Sequence, residues 1–292
     1  MTTIGVVGLG LLGHAVASRL LEAGHAVVGY DVLDDRTAAL VGRGGKGLGS
    51  AQAVAAAAEA VCVVLPSLES VERAILGPGG VLAGARPGQV VIQISTISPA
   101  LTVRLATQVS ERGLAFLDCP ISGTSTQVAR GDGIFMVAGE RAVFERWRPV
   151  LEAVLPRSFY IGPAGQAMTL KLVANLLVAL HSAAAAEALS MARRAGLDAG
   201  LALEVLRAGA GTSRMLDVRG PGIVRGEFPP QMKLDLFMKD LHLIQNAAAA
   251  VGAALPLTDT AERLYATAQA AGHGGADLSV VVRVIEALAP DR

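Results

Sequence analysis

Continuous apolar runs separated by amphipathic stretches fill the first half of the chain. TIGVVGL (3–9), HAVVGYD (25–31), AVCVVLP (60–66), QVVIQIS (89–95), LAFLDCP (114–120), GIFMVAG (133–139) and SFYIG (158–162) read as strands covered on both faces. Helix-period patterns lie between them, beginning with LLGHAVASRLLEAG (11–24), which stops at Gly24. Strands alternating with helices imply a parallel, doubly wound sheet. The character changes after Gly162-Pro163. One long helix is expected over about 165–195, with shorter ones near 199–208, 233–252, 256–272 and 277–288. The expected organisation is a sheet domain over 1–163 and an all-helical domain over 164–292, joined by the long helix itself.

With 52% hydrophobic but only 3% aromatic residues, the core must be built from Ala, Val and Leu. The formal net charge is zero, and no basic stripe interleaved with aromatics is present, so nucleic acid is not an expected partner. The first residues, MTTIGVVGLG, lack a basic segment followed by a long apolar one. The uncharged run 172–186 falls short of the ~20 residues of a membrane span. A cytoplasmic protein with no membrane partner is expected. Cys62 and Cys119 each sit in a strand pattern without metal or CxxC spacing, so they read as small core residues and no metal is expected.

Gly8-Leu9-Gly10-Leu11-Leu12-Gly13 follows the first strand and opens the first helix, and the second strand ends in Asp31. Gly8 permits the tight turn, Gly10 lets a pyrophosphate approach the backbone, and Gly13 lets the helix pack on the sheet. The phosphates would rest on the helix N-terminus, beside Leu11 and Leu12. Asp31 can accept hydrogen bonds from ribose hydroxyls and would repel a 2′-phosphate, and no arginine follows it until Arg36. These features predict a Rossmann-type domain with NAD as cofactor, NADP being disfavoured. His14 reads as a solvated neighbour of the phosphate site.

Lysine is rare here. Of 25 basic residues only Lys46, Lys171, Lys233 and Lys239 are lysine, and Lys171 lies in the apolar stretch TLKLVANLLVALHSAAAAEALSMA. A desolvated lysine can lose its proton, whereas arginine cannot. Lys171 is therefore a candidate acid–base group. Asn175, four residues on, shares its helix face, and Ser182 lies nearly on it two turns away. This polar stripe suggests the lining of a cleft between the domains.

In order along the chain, these motifs resemble those of the β-hydroxyacid dehydrogenases, which include 3-hydroxyisobutyrate dehydrogenase and tartronate semialdehyde reductase. GLGLLG resembles the family's GLGxMG, and Leu65-Pro66, which closes the third of the predicted strands, resembles the pair that lies against the cofactor there. Ser95-Thr96 resembles the motif whose threonine lies near the nicotinamide ribose. DCPISGTSTQVARGDGIFMVAG (118–139) resembles the substrate motif DAPVSGGxxGAxxGTLxxMVGG. GPAGQAMTLKLVANLL resembles the family's GxxG turn followed by KxxxN, with its catalytic lysine and asparagine, and Lys239-Asp240 resembles a pair that closes over the cofactor.

The resemblance implies hydride transfer between NAD and a small 3-hydroxy acid or its semialdehyde. Lys171 would move the hydroxyl proton and Asn175 would hold the lysine or substrate oxygen. Ser122 and the backbone N–H groups of Gly123 and Thr124 would take the carboxylate, with Leu65, Pro66, Thr96 and Lys239 at the cofactor. Thr124 and Gln127 stand where relatives have glycine, and Ser70 where many have asparagine. Sulfolactaldehyde reductases of the family share a Thr-Ser pair at 124–125 but have arginine where this chain has Gly123. A non-catalytic dinucleotide-binding scaffold is the reading from another class, and retention of Lys171, Asn175 and Lys239 counts against it. Imine reductases lack the lysine at this position. The apolar length of the long helix predicts a homodimer or homotetramer.

Overall fold

The computed structural model describes residues 2–288. The sheet region runs β1 (Thr3–Val7), α1 (Leu11–Glu22), β2 (Ala26–Tyr30), α2 (Asp34–Val41), β3 (Lys46–Gly47), α3 (Ala51–Ala57), β4 (Ala60–Val63), α4 (Leu68–Leu76) and α5 (Val81–Gly84). It continues with β5 (Val90–Gln93), α6 (Pro99–Ser110), β6 (Ala115–Asp118), β7 (Ile121–Ser122), α7 (Ser125–Ala129), β8 (Ile134–Gly139), α8 (Arg141–Val154) and β9 (Ser158–Gly162). The strand order is β3-β2-β1-β4-β5-β6-β8-β7, with β9 on the free side of β8.

The strands from β3 to β6 are parallel, and β8 runs antiparallel to β6 and β7. A wholly parallel sheet, as the apolar runs suggest, does not form at this edge. The link from Ser122 to Ile134 holds only the short helix Ser125–Ala129. A parallel return needs a crossover of a dozen or more residues, so the chain folds back as a hairpin. The strands β3 and β7 are two residues long, too short to show any hydrophobic period.

Both sheet faces are covered. Val6, Ile92, Leu117 and Trp147 belong to one buried cluster, and Val61, Val91, Phe116, Leu105 and Met168 to the other. Caps fix the helices that matter for the site: Ser98 caps α6 with Pro99 behind it, and Ser67 and Ser70 form a reciprocal capping box at α4.

The long helix α9 (Gln166–Arg194) is continuous, and the two compact units of the chain divide within it, between Lys171 and Leu172. The second unit adds α10 (Ala199–Ala208), α11 (Arg214–Arg225), α12 (Leu234–Ala250), α13 (Pro256–Ala268) with a π-helical turn, a 3₁₀ turn Leu278–Val280 and α14 (Val281–Ala287). Its core places Phe237 edge-on to Tyr265, whose hydroxyl donates to the Ala179 carbonyl at 2.8 Å. The buried Arg219 pairs with Asp277 at 3.0 Å. Asp277 also accepts from the Met232 N–H at 3.0 Å and the Ser279 hydroxyl at 2.8 Å.

Helix α11 has no counterpart among the expected helices, because Gly220-Pro221-Gly222 breaks its sequence pattern. Proline removes an intrahelical hydrogen bond and glycine lowers helix propensity. Tertiary contacts outweigh both. Gly220 lies against Leu203, Arg219 reaches Asp277, and Asp217 accepts from Arg207 at 2.9 Å.

Candidate active site

The strand order from β3 to β6 reverses direction between β1 and β4, and ligands of such sheets bind at the carboxyl ends on either side of that point. The glycine turn sits there. Gly8 has φ +94°, and a side chain on it would collide with the Val64 carbonyl oxygen at the end of β4. A side chain on Gly13 would strike the Gly8 carbonyl oxygen. Gly10 caps α1 without any side chain at the helix end, and the nearest atom to a Cβ built on it is Arg36 Nη1, at 3.8 Å. Leu11 is exposed and Leu12 half-buried at the start of the helix. A pyrophosphate therefore fits this turn by backbone approach and open space.

Asp31 is buried. Its Oδ2 accepts from the Leu9 N–H at 2.7 Å, and its Oδ1 from the Leu33 N–H at 3.0 Å. Arg36 Nη1 stands 3.4 Å from Oδ2. One carboxylate thus braces the glycine turn and the β2–α2 loop together. Burial, and next the charge of Arg43, hold the His14 imidazole below its usual range.

The loops beyond β4 and β5 are tied to each other. The Leu65 N–H donates to Ser95 Oγ at 2.7 Å, leaving Leu65 and Thr96 half-buried and Pro66 exposed. Ser70, where relatives often have asparagine, is used in the α4 cap.

Ser122, the last residue of β7, is half-buried, and Gly123 after it is exposed. Thr124 and Gln127 form a capping box. The Thr124 N–H donates to Gln127 Oε1 at 2.9 Å, and the Gln127 N–H donates to Thr124 Oγ1 at 3.3 Å. The Thr124 N–H, expected to receive a substrate acid, is thus engaged within its own loop. The two departures from glycine are one local device.

Asp118, at the end of β6, is fully buried and caps the start of α9. Its Oδ2 accepts from Gly165 N–H at 3.1 Å and Met168 N–H at 3.0 Å. Burial pushes the Asp118 carboxyl up to about 7, against the opposing pull of those two N–H groups. Three residues beyond Met168 comes Lys171, only 8% exposed. Asn175, also buried, donates to Asp240 Oδ2 at 2.8 Å, and Lys239 Nζ lies 3.2 Å from Asp240 Oδ1. Asp118 and Asp240 fall inside the quoted motifs, but the motifs assign their side chains no role. Both were visible as acids inside apolar stretches, LAFLDCP and LFMKDLHLI.

Residues 3–162 match the family profile described as the NAD binding domain of 6-phosphogluconate dehydrogenase. Residues 165–285 match the profile described as NAD-binding of NADP-dependent 3-hydroxyisobutyrate dehydrogenase. The chain is 33% identical to 2-(hydroxymethyl)glutarate dehydrogenase of Eubacterium barkeri, over 97% of this chain and 94% of that one. It is 34% identical to L-threonate dehydrogenase of Escherichia coli K12, over 98% and 95%. A crystal structure of 3-hydroxyisobutyrate dehydrogenase from Salmonella typhimurium superposes with a TM-score of 0.89 at 33% identity, over 97% of this chain and all of that one. With both halves matched by family profiles and relatives aligned nearly end to end, the chain belongs to the 3-hydroxyisobutyrate, or β-hydroxyacid, dehydrogenase family of NAD(P)-dependent oxidoreductases.

Proposed function

We propose that this enzyme interconverts a small 3-hydroxy acid and its semialdehyde, with NAD preferred over NADP and Lys171 as the acid–base group. The observation that carries the reading is the burial of Lys171 in a largely apolar stretch of α9, one turn from the buried Asn175. A buried amine favours its neutral form. Neutral Lys171 would take the hydroxyl proton during oxidation, and the ammonium form would return it during reduction. The cofactor, when bound, supplies hydride acceptance and donation.

The other residues orient and bind. Gly8, Gly10, Leu11, Leu12 and Gly13 would cradle the pyrophosphate, with Leu65, Pro66 and Thr96 beside the rest of the dinucleotide. Asp31 would accept from the adenosine ribose. Ser122 and the Gly123 N–H would hold the carboxylate, and Thr124 would set the shape of that loop. Asn175 would align the reacting oxygen, with Lys239 near the cofactor. The relatives named above act on hydroxy acids, which supports that substrate class. Exposed Val173, Leu177 and Met191 follow one side of α9, which supports a homodimer or homotetramer. A monomer in light scattering would overturn that point.

The deciding experiment measures NAD and NADP turnover with 3-hydroxyisobutyrate, glycerate, serine and threonate for wild type, Lys171→Ala and Lys171→Arg. Lys171→Ala is expected to lose on the order of 100-fold or more in kcat, with NAD binding and Tm retained. Lys171→Arg is expected to rescue nothing. An active Arg variant would mean that the residue supplies charge only.

A further inference from the structure

Two buried oxygens at the carboxyl ends of adjacent strands have no donor among the described residues: Asp118 Oδ1 and Gln93 Oε1. The two residues are Cα partners in the parallel β5–β6 register, so their side chains leave the same face of the sheet. Neighbouring strands lie about 4.8 Å apart. Both residues are 0% exposed. Their remaining polar atoms are engaged. Asp118 Oδ2 holds the Gly165 and Met168 N–H groups, and Gln93 Nε2 donates to the Ser95 carbonyl at 2.8 Å. That donation fixes the carboxamide orientation, because the flipped group would face the Ser95 oxygen with its own. An ionised Asp118 sets two acceptors side by side in a dry place, and one proton would satisfy both.

We infer that Asp118 works as a neutral acid, donating from Oδ1 to Gln93 Oε1, and that the bridge so formed positions the helix carrying Lys171. The bridge runs from the Leu65 N–H to Ser95, from Ser95 to Gln93, from Gln93 to Asp118, and from Asp118 to the first turn of α9. It links a loop proposed for the cofactor to the helix proposed for proton transfer. Asp118 is thus a positioning residue, and this role rests on the reading of Lys171 as the acid–base group.

The surroundings favour the neutral form. Strands β5 and β8 contribute no charged residue, and α6 turns Leu101, Thr102, Leu105 and Val109 inward. The nearby titratable groups are the thiols of Cys119 and Cys62, and along α9 Lys171. Burial pushes the Cys62 thiol up to about 12 and raises that of Cys119 as well, so neither is an anion. Burial of Asp118 acts in the same direction, opposed by the two backbone N–H groups.

The test uses the full-length enzyme. Infrared spectroscopy at about pH 6, below the Asp118 value of about 7, should show the C=O band of a protonated carboxyl. The band should be missing in Asp118→Asn. Its absence from the wild type would mean an ionised Asp118 and would overturn the inference. In kinetics, Asp118→Leu should lower kcat roughly tenfold or more while leaving KM for the cofactor in place. Asp118→Asn should restore kcat, because its carboxamide supplies an oxygen to the helix and an N–H to Gln93. An Asn variant as damaged as the Leu variant would show that the charge is what matters. If the Leu variant does not fold, the infrared band and the Asn kinetics decide. The band reports the proton whatever Lys171 does, so a fully active Lys171→Ala would fail the acid–base reading and leave the band standing.

Discussion

Asn175 and Lys239 share one carboxylate: Asp240 accepts from Asn175 Nδ2 at 2.8 Å through Oδ2 and stands 3.2 Å from Lys239 Nζ through Oδ1. Both proposed site residues of the helical unit are thereby oriented by one acid. Asp240→Asn separates the two roles. Its oxygen still accepts from Asn175, but the charge partner of Lys239 is lost. Steady-state kinetics should show KM for the cofactor raised and kcat nearly held. Asp240→Ala leaves both partners without their acceptor and should lower kcat as well, on the scale of about 1–3 kcal/mol for an unsatisfied buried group. Equal effects of the two substitutions on kcat and KM would reduce Asp240 to a structural residue.

Asp31 braces the glycine turn and is proposed to exclude a 2′-phosphate, and its replacement should test both. Asp31→Ser removes the repulsion of a 2′-phosphate beside Arg36, so the NADP to NAD ratio of kcat/KM should rise. It also strips the acceptors from the Leu9 and Leu33 N–H groups, so Tm should fall by the equivalent of about 1–3 kcal/mol. Wild-type kcat/KM with NADP equal to that with NAD would refute the stated preference.

The Thr124–Gln127 box predicts that Thr124→Ala costs about 1 kcal/mol of loop order, the usual value of a helix cap. Affinity for 3-hydroxyisobutyrate and for threonate should then fall by the same factor. Gln127→Ala should behave alike. A loss confined to the substrate with extra hydroxyls would instead mean that Thr124 reads the substrate directly.

Asp118 gives the protein a pH dependence of defined sign. Burial pushes its carboxyl up to about 7 in the fold from an ordinary 3.8, so between these values the folded state binds more protons than the unfolded chain. Its contribution is intact below pH 3.8, is lost as pH rises to about 7, and changes no further above that. A difference of that size corresponds to on the order of 4 kcal/mol at most. The Tm of Asp118→Asn minus that of wild type should therefore grow across this window and then level off. A flat difference would contradict it.

Much of this was legible from residue order. The apolar runs locate every long strand, and Gly8, Gly10, Gly13 and Asp31 mark the turn because their chemistry is local. Lys171 stood out because arginine had replaced lysine nearly everywhere else. The rest depends on partners distant in sequence. Nothing near Asp118 announces that it caps a helix beginning 48 residues later. Thr124 and Gln127 suggested pocket chemistry when read one at a time, and only together do they spell a cap. Helix α11 was hidden because its local propensity opposes the contacts that stabilise it.

The pairing of Arg219 with Asp277 bears on how the molecule is made. The sheet unit has its strands, both faces and the Asp118 cap to α9 once the chain has passed Met168. It can mature while synthesis continues. The helical unit has no such freedom. Arg219 is buried in α11, and its counter-ion arrives 58 residues later. Until then a guanidinium must stay in water, because burying it unpaired is costly. The emerging protein is therefore a finished cofactor domain trailing an open set of helices, and Asp277 is the residue that lets them close.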